Sequence, residues 1–193
     1  MARPREFDRD AALKKALGVF WAKGFAATST DDLREAMGIG RQSLYGAFGD
    51  KRTLYLEALD TYQQSTNSGH VKRLSTPRSA LKGIEDLLVG IVADDDSERA
   101  LGCMGVGSVS EFGATDPELN ARRRAASTAL GRRIAERISE GQQSGELNAA
   151  LDPNDTAAFI QMTMTGLQVA ARGGAKAADL KAMARFATER LKA

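Results

Sequence analysis

Apolar positions recur at helical spacing along most of the chain. In residues 8–24, Leu13, Leu17, Phe20, Trp21 and Gly24 fall on one stripe, with Lys14, Lys15 and Lys23 largely off it. Asp8 precedes the stripe as an N-cap, and Gly24 is expected to supply the C-cap. The stretch "TSTDDLREAMG" predicts a second helix. Ser29 caps it, Asp32 completes a capping box with Asp in place of Glu, Leu33, Ala36 and Met37 form the apolar face, and Gly38 ends it. Gly38-Ile39-Gly40 reads as a three-residue turn, and a third helix starts at about Arg41. On that helix Leu44, Ala47 and Phe48 face inward at i, i+3, i+4 spacing. Gln42, Tyr45 and Gly46 face outward, with Arg41 and Ser43 at the flanks. Helix, glycine turn and short helix make a helix-turn-helix arrangement. Gly49-Asp50 closes it, and Lys51 opens a longer helix to about residue 65.

From Ser65 to Ser79 the composition shifts to Ser, Thr, Asn, Gly and Pro, which predicts a connector, or a connector with a helical tail, with the sole histidine, His70, exposed in it. Helices are expected again at about 79–94, then at 101–113 after the acidic "DDDSE". Three more follow, at about 117–144, 153–172 and 175–192. Asp116-Pro117 and Asp152-Pro153 carry the cap-then-proline signature of a helix start. On the last helix, Leu180, Met183, Ala184, Ala187 and Leu191 form a continuous apolar stripe. The helix before it (Phe159, Ile160, Met162, Met164, Leu167, Val169) is apolar over much of its circumference. Such a pair either closes the core of one chain or forms an isologous four-helix contact between two. The fold class expected is all-α, with an N-terminal three-helix unit at 6–66 and a larger helical part at 67–193.

Composition narrows the function without naming it. The chain has 193 residues, 42% hydrophobic and 27% charged, ordinary for a globular protein. Its 27 Lys and Arg against 25 Asp and Glu leave a net charge of only +2, so any nucleic-acid role has to rest on local placement of charge. The longest apolar run, "LLVGIVA" at 87–93, is far short of the roughly 18 residues of a membrane span. The polar start "MARPREFDRD" is not a signal peptide, and the single cysteine fits a reducing compartment; cytoplasm is the expected location. One Cys and one His, 33 residues apart, make a poor catalytic dyad. No HExxH, CxxC, Walker or Rossmann pattern occurs, so no catalytic residue, metal or cofactor is expected.

The stretch "ALGVFWAKGFAATSTDDLREAMGIGRQSLYGAFGDKRTLYLEAL" resembles the DNA-binding domain of the TetR family of bacterial transcriptional regulators. The matching features are "F-x-x-K-G-F-x-x-T-S", the short second helix and "G-I-G-R-x-S-L-Y-x-x-F-x-D-K", across roughly 50 residues. Further on, "GCMGVG…DPELNARRR" is similar to one common type of effector-binding domain in that family. The resemblance implies a homodimer that binds a double-stranded DNA operator with its N-terminal helices. It implies a small-molecule effector in the larger domain, and dimerisation through the last two helices.

Under that resemblance Arg41 and Gln42 begin the recognition helix, where Arg pairs with guanine and Gln with adenine, or Arg41 takes a phosphate. Ser43, Tyr45 and Lys51 suit phosphate contacts, as do Thr28 and Ser29, for which a capping role competes. Gly46 and Ala47 stand where many relatives carry larger side chains. Arg3 and Arg5 form an arm suited to the minor groove. Trp21, Phe20, Phe25 and Leu44 are expected as core, and the six Arg between 122 and 137 as a solvated face. Cys103, Met104, Phe112, Met162 and Met164 are candidates for the effector pocket or plain core. The function implied is a ligand-released repressor; a redox-sensing regulator of the same fold, acting through Cys103, is the alternative.

Overall fold

The computed structural model describes residues 7–193; Arg3 and Arg5 lie outside them. Ten helices and no β-strand occur among the described residues: α1 Arg9–Ala27, α2 Thr30–Met37, α3 Arg41–Phe48, α4 Lys51–Ser75, α5 Ala80–Gly90, α6 Asp96–Leu101, α7 Met104–Phe112, α8 Pro117–Gln143, α9 Pro153–Arg172 and α10 Ala177–Glu189. The expected N-caps are in place. Asp8 accepts from the N–H groups of Asp10 and Ala11, Asp116 from Leu119, and Asp152 from Asn154 and Asp155. Gly24, at φ +79°, breaks α1 where a C-cap was expected, and one further helical turn, Phe25 to Ala27, follows the break.

Two expectations fail. Residues 65–75 are not a connector, because α4 runs on through Ser75. Its polar turns still bury an inward position, Leu74, which is fully covered by the second core. Packing there outweighs the weak helix propensity of Ser, Thr, Asn and Gly. The helix expected at 101–113 is also interrupted. Gly102, at φ +61°, ends α6, and Cys103 caps α7 with extended backbone.

Two hydrophobic cores result. The first gathers Ala12, Ala16 and Phe20 of α1, Leu33 and Met37 of α2, Leu44 and Phe48 of α3, and Leu54, Tyr55, Ala58 and Leu59 of α4. Met104 of α7 and Leu119 of α8 close it. The second joins Leu74 to Ile84, Leu87 and Leu88 of α5, Ile134 and Ile138 of α8, Ile160 and Leu167 of α9, and Leu180, Ala184, Ala187 and Leu191 of the C-terminal segment. The stripe on α10 therefore divides. Four of its five members close the chain's own core, while Met183 faces out. Phe159, Met162 and Val169 of α9 and Met183 and Phe186 of α10 also stay exposed, Val169 at the edge of a cavity.

Close approach of backbones sets where α5 lies. A Cβ on Gly83 would stand 2.2 Å from the carbonyl oxygen of Leu74, which belongs to the end of α4. Gly46 on α3 has nothing within 4 Å of the same position. Both glycines sit inside helices, so alanine improves helix propensity equally at the two sites and packing decides the sign. Gly46→Ala is expected to stabilise by about 0.8–1 kcal/mol. Gly83→Ala is expected to destabilise by about 1–3 kcal/mol, as overpacking does. Denaturant midpoints with unchanged m-values check both.

Candidate nucleic-acid interface

The surface around α2 and α3 follows from two short helices that each bury one face. The reciprocal cap of α2 is formed: Ser29 Oγ accepts from the Asp32 N–H at 3.0 Å, and Asp32 Oδ2 accepts from the Ser29 N–H at 2.8 Å. Asp32 also pairs with Lys23 at 2.7 Å. The lysine, and then the Ser29 hydrogen bonds, pull the Asp32 carboxyl down to about 2. Gly38 closes α2 in the left-handed conformation, its N–H donating to the carbonyls of Arg34 and Glu35. The turn hands the chain to α3, whose N-cap Gly40 offers no side-chain cap.

On α3, Leu44 and Phe48 are buried and Ala47 is half-buried, while Arg41, Gln42, Ser43, Tyr45 and Gly46 are exposed. The inward and outward sets are those that helical projection assigns. Hydrogen bonding with Thr30, and then with Arg41, holds the Tyr45 phenol below its ordinary pKa. Lys51, at the start of α4, rests its Nζ 4.3 Å from the centre of the Phe25 ring. Thr28 does not fit a phosphate contact. It is buried, and its hydroxyl donates to the Gly24 carbonyl. Ser29 has its hydroxyl oxygen engaged in the cap.

Several of the cations near this surface are held in ion pairs. Arg9 pairs with Glu57, Arg34 with Asp31, and Arg52 with Asp116 and Glu118. Arg41 and Lys51 form no ion pair among the described residues. Two of the cations expected at DNA are therefore without a carboxylate partner among the described residues.

A cavity of about 680 Å³ lies behind this unit, between α4, α7, α8 and α9. Of the expected pocket residues, Cys103 and Met164 line it. Met104 is buried in the first core instead, and Phe112 packs on Phe25 at 5.4 Å between ring centres. Met162 is 74% exposed on the outer face of α9, because it falls on the opposite side of that helix from the buried Ile160 and Met164. Among the wall residues that sequence reasoning missed are Trp21, Tyr62 and His70. Trp21 meets Tyr62 edge-on at 5.1 Å and donates its Nε1–H to the Gly102 carbonyl at 3.1 Å. His70 was expected exposed in a connector. On the continued α4 it is partly buried, its Nδ1 has no partner, and burial followed by Arg73 pushes its pKa down to about 4. Tyr62, Thr66, His70 and Arg73 recur at helical spacing along α4, a signal that the polar composition hid.

Two family models match the chain. The description "Bacterial regulatory proteins, tetR family" matches residues 12–58, and "Tetracyclin repressor-like, C-terminal domain" matches residues 80–187. The chain is 36% identical over 149 residues to the uncharacterized HTH-type transcriptional regulator YezE of Bacillus subtilis, covering 77% of each chain. It is 28% identical over 184 residues to the HTH-type transcriptional repressor ComR of Escherichia coli, covering 94% of this chain and 88% of that one. Among solved structures, a cysteine mutant of the TetR-family regulator CifR, complexed with 26-base-pair double-strand operator DNA, superposes with a TM-score of 0.83. That match has 33% identity and covers 98% of this chain and all of CifR's. A capped helix-turn-helix, the two family matches and these relatives together place the chain in the TetR family, as a DNA-binding transcriptional regulator.

Proposed function

We propose that this regulator is a repressor that binds a two-fold operator as a homodimer and is released when a small molecule fills the cavity. The observation that carries the reading is that the cavity wall includes Trp21, a residue of α1. The ligand space and the DNA-binding unit thus share a helix, and a filled cavity bears directly on it. Residues 6–66 supply the DNA-binding part and residues 67–193 the effector and dimerisation part, with α4 running through the division. The repressor name of the relative ComR and the operator complex of CifR support the sign and the partner. No helix among the described residues is long and apolar enough to cross a membrane, which agrees with a cytoplasmic site of action.

Within the interface, Arg41 and Gln42 read base edges, and Ser43, Tyr45 and Lys51 hold phosphates. The effector is a largely apolar small molecule that meets Trp21, Tyr62, Cys103 and Met164, with His70 offering a neutral ring nitrogen. The redox alternative rests on Cys103, which lies on the cavity wall at the start of α7. A helix N-terminus or a nearby cation favours a thiolate. Arg99, its neighbour in sequence, instead donates to the carbonyls of Ala93, Asp94 and Ala175 and pairs with Asp96, which favours the effector reading. A coupling of roughly 1–3 kcal/mol between effector and operator changes affinity about 5- to 150-fold, enough to switch a promoter.

The dimer contact follows the exposed face of α9 and α10 rather than the buried stripe. Phe159, Met162, Val169, Met183 and Phe186 leave an apolar surface on two adjacent helices at the end of the chain.

Selecting bound fragments from random DNA and sequencing them tests the reading as a whole: a two-fold-symmetric consensus is expected, and no consensus would refute it. On that DNA, Gln42→Ala is expected to lower specific affinity by about 1–3 kcal/mol and to relax preference at one position per half-site. Lys51→Ala is expected to weaken all DNA nearly alike and to reduce the salt slope by about one unit per subunit. Titrations at several salt concentrations on selected and random duplexes separate the two roles.

The double variant Met162→Glu, Phe186→Glu is expected to be a folded monomer by light scattering and to lose most operator affinity. Leu167→Glu, at a buried position, is expected to unfold the chain instead, which circular dichroism reads directly.

A further inference from the structure

We infer that Glu111 is the residue through which the state of the cavity reaches the DNA-binding helices; the inference rests on the effector-release reading above. Helix α7 stands between the two regions. Val106, Val109 and Ser110 line the cavity, and Glu111, next along the helix, extends to the broken end of α1. Its Oε2 accepts from the Phe25 N–H at 2.8 Å, and its Oε1 accepts from the Ala26 N–H at 3.0 Å. One carboxylate therefore caps the turn that follows Gly24, from 85 and 86 residues away in the chain.

The contact is built for close approach. Gly24 adopts φ +79°, and a Cβ there would stand 2.6 Å from Glu111 Oε1. Any side chain would meet both backbone strain and the carboxylate. The glycine of the "K-G-F" stretch is thus required by a partner on a distant helix as well as by its own turn.

What the capped turn carries explains its reach. Phe25 packs edge-on against Tyr55 at 5.1 Å and lies under the Lys51 ammonium at 4.3 Å. Thr28 ties back to the Gly24 carbonyl, and Ser29 follows as the cap of α2. Displacing this turn moves the start of the helix-turn-helix and a phosphate-binding lysine together. A second tie, from Trp21 Nε1 to the Gly102 carbonyl, anchors α1 to the segment just before α7. Helix α7 itself carries Gly105 and Gly107 and has no side-chain N-cap, so an occupant pressing on its cavity face meets little resistance. Glu111 is a positioning residue in this scheme: it touches neither effector nor DNA.

The sole cysteine offers a way to occupy the cavity without knowing the effector. Full-length protein is labelled at Cys103 with benzyl methanethiosulfonate, confirmed by mass, and titrated onto the two-fold duplex recovered by selection. In the wild type, labelling is expected to weaken operator binding at least tenfold and to speed hydrogen exchange at the Phe25 and Ala26 amides. Glu111→Gln keeps the size of the side chain but has one acceptor oxygen instead of two. In that variant, labelling is expected to change operator affinity less than threefold, with binding to random DNA unchanged. Equal loss on labelling in wild type and variant overturns the role of Glu111 and leaves effector release standing. A fully labelled wild type that binds its operator normally overturns both. Should the variant fail to fold, the wild-type exchange decides: operator loss with unchanged protection at Phe25 and Ala26 overturns the proposal.

Discussion

Helix α4 has to satisfy two hydrophobic cores at once, and the positions of the other elements follow from that. Its first turns bury Leu54, Tyr55, Ala58 and Leu59 under α1 to α3, and its last turn buries Leu74 against α5. A fully buried leucine is worth about 1.5–3 kcal/mol relative to exposure, so neither end is free to fray. The stretch between them, with Tyr62, Thr66 and His70, is left to form a cavity wall. A helix pinned at both ends and hollow-sided in the middle suits a ligand space. Its two cores hold the rim, and Trp21 meets Tyr62 at the edge of the hollow.

The same arrangement explains why the second unit does more than hang from the first. Met104 of α7 and Leu119 of α8 complete the core of the DNA-binding helices. Arg52 reaches from α4 to Asp116 at 2.6 Å and to Glu118 at 3.1 Å, across the start of α8. Arg52, and then the backbone amide of Leu119, draw the Asp116 carboxyl down to about 2. These half-exposed pairs add modest stability, yet they fix geometry. Glu111 adds a contact of another kind, from side chain to backbone, at the one place where α1 is broken.

Much of the interface was legible because it is local. The capping box of Ser29 and Asp32, the left-handed Gly38 and the buried pair Leu44 and Phe48 all depend on residues within one or two turns. Thr28 was misread because its burial depends on a turn created by Gly24 and held from α7. Trp21 was assigned to the core, as a large apolar residue on a helical stripe, and only the packing of α4 shows it beside a cavity.

The capped starts of α1, α2, α8 and α9, the glycine turn and the outward set on α3 were determined by the sequence alone, since caps, φ-permissive glycines and 3.6-residue periodicity act over a few residues. Tertiary structure decided the rest. It continued α4 through a polar stretch, split the α10 stripe between the core and an outer face, drew His70 into partial burial and moved three of five pocket candidates off the cavity. Each of those outcomes depends on which distant surface a helix face meets. Periodicity shows that a face is apolar, but not whether its partner is the same chain, a ligand or a second copy. That choice is made by the volumes and close approaches of residues far apart in the chain, such as Gly83 under the Leu74 carbonyl.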